Sequence, residues 1–161
     1  MFLWFVGGAA LIVWQVFRDP TIDYRLVMLG AVLPDLVDAP FGGARVAHGV
    51  LASVALLTFV MFATIGRRAL RRRLLAVPIG MFLHLVLDGA WSNTTVFWWP
   101  LAGTSFDDAP LPSIERGWWS LLLELIGLIG LVWAWRRFRF DLPERRATFA
   151  RSGRADPCPA P

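Results

Sequence analysis

The chain has 161 residues, of which 57% are hydrophobic and 17% charged, whereas a soluble domain averages about 45–50% apolar and about 25% charged residues. This excess indicates a single-domain membrane protein rather than a soluble one. The net charge is +4 and all sixteen basic residues are arginines. They lie beside apolar runs, which fits membrane topology and argues against nucleic-acid binding. With a single cysteine, Cys158, the chain cannot form an internal disulfide, and a metal cluster held by thiolates is not expected.

Five apolar stretches predict about five transmembrane helices: residues 2–17, 24–38, 46–65, 74–90 and 117–135. A helix that crosses the hydrocarbon needs about 20 apolar residues. The third and fifth stretches meet this length, and the first and fourth are marginal. The second is short and contains Pro34, so its complete crossing is left open. The first stretch has no basic segment and no cleavage signal, which favours a retained helix over a signal peptide.

The arginines predict how these helices are oriented. With five crossings, fourteen arginines fall on one side and only Arg45 and Arg116 on the other. Because cytoplasmic loops are enriched in basic residues, we expect the N-terminus outside and the C-terminus inside. The prediction is therefore an all-α polytopic domain over residues 1–140, with the lipid bilayer as its partner. A disordered cytoplasmic tail rich in arginine and proline is expected over residues 141–161.

Histidines and aspartates recur at the predicted outer ends of three helices. His84 and Asp88 are four residues apart in FLHLVLDGA, so a helix places them on one face. Alone, such a pair is better explained by a mutual His–Asp hydrogen bond or by an interfacial position with water. The topology adds Asp35 and Asp38 at the end of the second helix and His48 at the start of the third. This set suits a divalent ion, with zinc favoured and manganese or iron as alternatives.

Glu124 lies about two turns into the last predicted helix, within WWSLLLELIGLIG. An acid inside a membrane helix is a functional candidate. One interpretation makes it a catalytic residue that accepts a proton from metal-bound water or orients a ligating histidine. The alternative is a protonated glutamate that is hydrogen-bonded to a neighbouring helix. The sequence does not decide between the two.

Three segments, LGAVLPDLVD, AHGVLASVALL and FLHLVLDGAWSNTTVFWWP, resemble the bacterial membrane-bound metal-dependent hydrolases, the LexA-binding, inner-membrane-associated family. That family carries an L-P-D-x-D element, an H-R-G-x-T-H-S element and an S-H-x-x-x-D element before an apolar run ending in W-P. The resemblance matches Asp35, His48, His84 and Asp88 to these elements and covers about residues 25–101. It departs from the family at Asp38, which is three residues from Asp35 instead of two. It also departs at Gly43, which replaces the first histidine of the middle element.

The residues and the resemblance together predict a hydrolase of the bacterial cytoplasmic membrane. Its metal site would open at the extracytoplasmic interface, and a lipid or envelope phosphoester would be its substrate. One alternative is a non-enzymatic scaffold or partner-binding protein with a structural ion or a His/Asp hydrogen-bond network. Another is a small ion or solute carrier that uses Glu124 and Asp88. Whether the protein is an enzyme is therefore left open, and the sequence indicates no particular protein partner.

Overall fold

The computed structural model describes residues 1–106 and 116–155. This part of the chain is helical and contains no strand, which confirms the all-α class. The helices are α1 (Phe2–Phe17), α2 (Tyr24–Asp38), α3 (Val50–Ala63), α4 (Arg68–Leu74), α5 (Ala76–Leu87), α6 (Thr94–Phe97), α7 (Trp118–Arg137) and α8 (Pro143–Ser152). Short 3₁₀ turns occupy Ala39–Phe41, Val46–His48 and Ala90–Ser92.

Helix length does not support five complete membrane spans. Helices α1, α2, α3 and α5 contain 16, 15, 14 and 12 residues. At about 1.5 Å per residue they are roughly 18–24 Å long, shorter than a hydrocarbon core of about 30 Å. Among the described residues, only α7 is long and apolar enough to cross. The apolar stretches overestimated helix length because turns at both ends are also apolar. The third stretch, for example, begins with a 3₁₀ turn, and its helix starts only at Val50.

The connected helices run up and down, so that the bundle has two chemically different ends. Phe5 near the start of α1 packs against His84 near the end of α5, whereas Trp14 near the end of α1 contacts Phe138 just after α7. The N-terminal ends of α1, α3 and α7 and the C-terminal ends of α2 and α5 therefore lie at the same end of the bundle. We call this the histidine end. The opposite end carries the start of α2, the α4–α5 junction and α8, and we call it the arginine end.

Close backbone packing of α2 on α5 positions the histidine end. Gly30 of α2 and Gly80 of α5 each lie against the backbone of the other helix, where a β-carbon would meet the carbonyl oxygens of Val77 and Val27. Small residues allow helices to approach this closely. The approach brings the carbonyl oxygen of Ala31 within 2.7 Å of Nδ1 of His84.

The predicted disordered tail is instead partly helical. Pro143 occupies the first helical position of α8 and Gly153 ends the helix with a φ of 70°, both favoured at these places. The amide of Tyr24 donates to the carbonyl of Gly153 over 2.9 Å, and Arg25 donates to the carbonyl of Ala150. These contacts hold α8 against the start of α2. Residues 156–161, which include Cys158, lie outside the described residues.

Candidate metal site

Three ligand atoms from three segments converge at the histidine end. Nε2 of His48 and Nε2 of His84 are 3.4 Å apart. Oδ1 of Asp35 lies 3.4 Å from the first nitrogen and 3.7 Å from the second. Asp35 comes from α2, His48 from the turn before α3 and His84 from α5. The predicted convergence of Asp35, His48 and His84 at one site is therefore confirmed, and this group could hold a metal ion.

Both imidazoles are fixed through their other nitrogen. Nδ1 of His48 lies 2.8 Å from Oδ2 of Asp38, and Nδ1 of His84 lies 2.7 Å from the carbonyl oxygen of Ala31. A carbonyl oxygen is only an acceptor, as is an ionised carboxylate. Each Nδ1 must therefore carry the hydrogen and donate it. In the neutral side chains, both Nε2 atoms then present bare lone pairs to the centre of the site.

This arrangement concentrates electron-rich atoms, between which a cation could be held. Two lone pairs and a carboxylate oxygen face one another in a pocket where the side chains of His48 and His84 are 1% and 0% exposed. Burial makes unpaired polar atoms costly. One extra proton on His48 would bond the carboxylate of Asp35 and leave the lone pair of His84 unmatched. A divalent cation would be bound by all three atoms at once.

The spacing of the three atoms is compatible with a tetrahedral ligand set. Bonds of about 2.0–2.1 Å to a tetrahedral ion place neighbouring ligand atoms roughly 3.3–3.4 Å apart. Octahedral coordination at the same bond length would give roughly 2.8–3.0 Å. The observed separations of 3.4, 3.4 and 3.7 Å are closer to the tetrahedral value. The side chain of Asp35 is 25% exposed, so the site opens on its side.

Asp38 was predicted as a metal ligand, but the structure gives it a different contact set. Its carboxylate accepts hydrogen bonds from the amides of Arg45, Ala47 and His48 and from Nδ1 of His48. The cause is the loop after α2, which folds back over the helix end and places those amides around Asp38. With its lone pairs used in this way, Asp38 orients His48 and does not join the three converging atoms.

Asp88 was also predicted as a ligand and is not part of the converging set. It follows the last residue of α5, and its side chain is buried at 1% exposure. Neither carboxylate oxygen has a hydrogen-bond partner among the described residues, although the guanidinium of Arg116 lies 3.4 Å from Oδ1. Its backbone amide donates to the carbonyl of His84 over 2.8 Å. It is therefore a buried carboxylate one helical turn from one of the candidate ligands.

Glu124, in the second turn of α7, lies beside the start of α1 and away from the histidine rings. Its Oε2 accepts a hydrogen bond from the amide of Leu3 over 2.8 Å, and its Oε1 is 3.6 Å from the backbone nitrogen of Met1. The parallel packing of α1 and α7 explains this placement, because it sets the second turn of α7 beside the first turn of α1. The structure records no contact between Glu124 and a histidine, so its predicted catalytic role has no structural support.

Several contributors to the site were not found from the sequence. Phe5 covers the ring of His84 with centroids 4.0 Å apart, and the carbonyl of Ala31 fixes the same ring. Neither has a distinctive sequence signal. Arg45 and Arg116 did have one, because they were the two exceptions to the arginine distribution. The first supplies an amide to Asp38 and the second pairs with Asp88.

No family model, curated protein or solved structure matches the chain. The resemblance to the bacterial membrane-bound hydrolases therefore stays a prediction. It rests on the short motifs around Asp35, His48 and His84, three residues that the fold brings together.

Proposed function

We propose that the chain is a membrane-embedded zinc hydrolase whose ligands are Asp35, His48 and His84. The observation that carries this proposal is the convergence of two Nε2 lone pairs and one carboxylate oxygen within 3.7 Å. Three nitrogen and oxygen ligands with a fourth position open to water are typical of catalytic zinc. When bound, zinc lowers the pKa of that water and polarises a substrate oxygen.

The surrounding residues give this site the order that catalysis requires. Asp38 and the carbonyl of Ala31 fix the ligating tautomer of each histidine, a support that strengthens metal binding. Phe5 shields His84 from solvent. Asp88 is the candidate proton acceptor, because it is buried, lacks a hydrogen-bond partner among the described residues and lies one helical turn after His84. It takes the role first considered for Glu124.

Exposed apolar surface supports the location in a membrane. Only 6% of the apolar window of α7 is buried, and α3 is similarly exposed on one side. The large exposed side chains on these helices include Leu121, Leu125, Ile129, Val54, Phe59 and Phe62. Contiguous apolar surface of this kind marks contact with lipid or with another protein. In the proposed orientation the arginine end faces the cytoplasm and the histidine end the outside. The shorter helices would then pack beside α7 without each covering the full hydrocarbon thickness.

A phosphoester of a lipid or of the cell envelope is the proposed substrate. In this orientation the site would open towards the outer leaflet of the membrane. Arg116 lies at the same end, is 27% exposed and pairs with Asp88. Its guanidinium could contact a phosphoryl oxygen, since such pairs are strong and geometrically matched.

The test measures metal content and turnover in the same preparations. Full-length protein is purified in detergent, loaded with zinc and assayed with bis(p-nitrophenyl) phosphate as the phosphodiester probe. We expect one zinc per chain and measurable turnover, both lost in His84→Ala. Asp88→Asn should keep the zinc and lose turnover. Asp141→Asn, which changes an exposed acid beside Arg139, is the control and should change neither.

The outcomes separate the proposal from its alternatives. Zinc bound without turnover of the probe or of an envelope phosphoester would support a structural ion and contradict the hydrolase. Equal, low metal content in wild type and His84→Ala would contradict the metal site itself.

A further inference from the structure

A second polar pocket lies at the arginine end, about twelve helical residues, or roughly 18 Å, along α2 from Asp35. Its volume is about 440 Å³, and it lies between the turn before α2, helix α4 and the end of α8. Four arginines line it: Arg72, Arg73, Arg151 and Arg154. The metal site uses none of these residues.

Two aspartates hold one wall of this pocket in place. Asp23, only 2% exposed, accepts hydrogen bonds of 2.9–3.0 Å from Arg25 and Arg73. Asp19 accepts from Arg72 over 2.9 Å. Arg72 and Arg73, whose side chains are 63% and 57% exposed, are therefore each paired with an aspartate before any ligand arrives. Pre-organisation of this kind lowers the entropic cost of binding.

The other wall carries positive charge that the described residues do not neutralise. Arg151 and Arg154 come from the end of α8 and the residue after Gly153, and no described acid forms an ion pair with either guanidinium. The cluster of five arginines, with Arg25 included, thus faces two aspartates. Counted over residues 1–106 and 116–155, three positive charges remain around one cavity.

Gly153 fixes the position of this second wall. Its φ is 70°, and a β-carbon there would collide with the carboxylate of Asp23. The glycine thus lets the end of α8 lie directly on the aspartate that orders the first wall. Both walls meet at Asp23, so the four arginines line one pocket.

We propose that this pocket binds a phosphate group. Guanidinium groups pair with phosphate oxygens through two parallel hydrogen bonds, and the excess positive charge favours a dianion over a carboxylate. The phosphate can come from a lipid headgroup, here a phosphatidate-type monoester, or from a soluble phosphoester. The chemistry at the arginines is the same in both cases.

The test uses full-length protein in detergent and two probes. Inorganic pyrophosphate is titrated calorimetrically, and phosphatidylcholine nanodiscs with and without phosphatidic acid are compared for binding. We expect wild type to bind at least one of these probes, with affinity about tenfold or more weaker in Arg151→Gln/Arg154→Gln. The control Arg136→Gln/Arg137→Gln makes the same charge change at exposed positions outside the pocket and should bind like wild type.

The two arms identify the source of the phosphate. Binding of pyrophosphate that phosphatidic acid does not displace supports a soluble ligand, whereas binding to phosphatidic acid discs alone supports a headgroup. Equal loss in both double variants would show a nonspecific charge effect and overturn the pocket, as would wild type that binds neither probe. Helical circular dichroism confirms that each variant is folded. His84→Ala should still bind phosphate, and this separates phosphate binding from the test of the metal site.

Discussion

His48 and His84 present their Nε2 atoms to each other at 3.4 Å, although both rings already donate from Nδ1. Asp38 and the carbonyl of Ala31 are the two acceptors. Two neutral imidazoles cannot hydrogen-bond through nitrogens that both lack hydrogen. With Asp35 at 3.4 and 3.7 Å, this relationship gives three ligand atoms that could hold a metal ion.

Replacement of Asp38 tests the orientation of His48. Asp38→Asn keeps Asp35, His48 and His84 but removes the charge that holds the Nδ1 hydrogen of His48 and one of the two oxygens that accept from the loop amides. Loss of such a partner lowers metal affinity by about 10–100-fold. Competition with a chromogenic zinc chelator measures the change. Asp141→Asn should leave the affinity unchanged, and an unaltered affinity in Asp38→Asn would show that His48 needs no such support.

The crossing of α2 and α5 should be sensitive to a single added methyl group. Gly80→Ala places a β-carbon against the carbonyl of Val27, and overpacking of this kind costs about 1–3 kcal/mol. We expect a lower melting temperature in detergent and weaker zinc binding, since the crossing sets the contact between Ala31 and His84.

The control for this substitution is Gly8→Ala. Its β-carbon would meet only side-chain atoms of Leu87, which can move. Equal effects of the two substitutions on melting temperature would contradict a specific role for the crossing.

Acid should weaken the arginine end in a defined direction. Hydrogen bonds from Thr21 and Arg72 lower the pKa of Asp19 to about 2. Burial acts to raise the pKa of Asp23, but hydrogen bonds from Arg25 and Arg73 outweigh it and the net pKa is lowered. A carboxyl whose folded pKa is depressed stabilises the fold fully above its unfolded pKa of about 3.9, and this contribution is lost as pH falls through the folded value.

Thermal unfolding of Asp19→Asn in the His84→Ala background isolates this contribution from metal binding. The variant should melt below its parent at pH 7, and the gap should close as pH falls from 4 towards 2. A gap that stays constant or widens in acid would contradict the ion pairs.

The exposed face of α7 should require an apolar environment. Leu125 is 52% exposed near the middle of α7, and an arginine at the centre of a membrane helix costs about 2.5–3.5 kcal/mol on insertion scales. Leu125→Arg should therefore reduce the carbonate-resistant membrane fraction. Leu142→Arg, at an exposed leucine after the helix, is the control. Full membrane recovery of both variants would argue against α7 as a span.

The sequence predicted that the ligands converge because helices that alternate in direction bring Asp35, His48 and His84 to the same end of the bundle. Arginine counting gave that alternation without using Asp35, His48 or His84. It could not separate ligands from their supports. Asp38 shares a helix face with Asp35 by spacing, yet the loop that surrounds it with amides is formed by residues seven to ten positions later.

Helix lengths and Glu124 were harder to predict for different reasons. Hydropathy counts apolar residues whether they form helix or turn. The predicted α3 therefore began before Val50, and the predicted α5 ended after Leu87. The partner of Glu124 depends on which helix packs beside α7, and no local pattern encodes that pairing. The helical part of the tail is held by hydrogen bonds from Tyr24 and Arg25, more than a hundred residues away in sequence.

X-ray absorption at the zinc edge tests the central claim most directly. For full-length protein loaded with one equivalent of zinc, we expect a first shell of nitrogen and oxygen at about 2.0–2.1 Å. The multiple-scattering pattern should correspond to two imidazoles, and one imidazole should disappear in His84→Ala. A shell dominated by sulfur at about 2.3 Å, or a spectrum identical in wild type and His84→Ala, would contradict a metal site built from Asp35, His48 and His84.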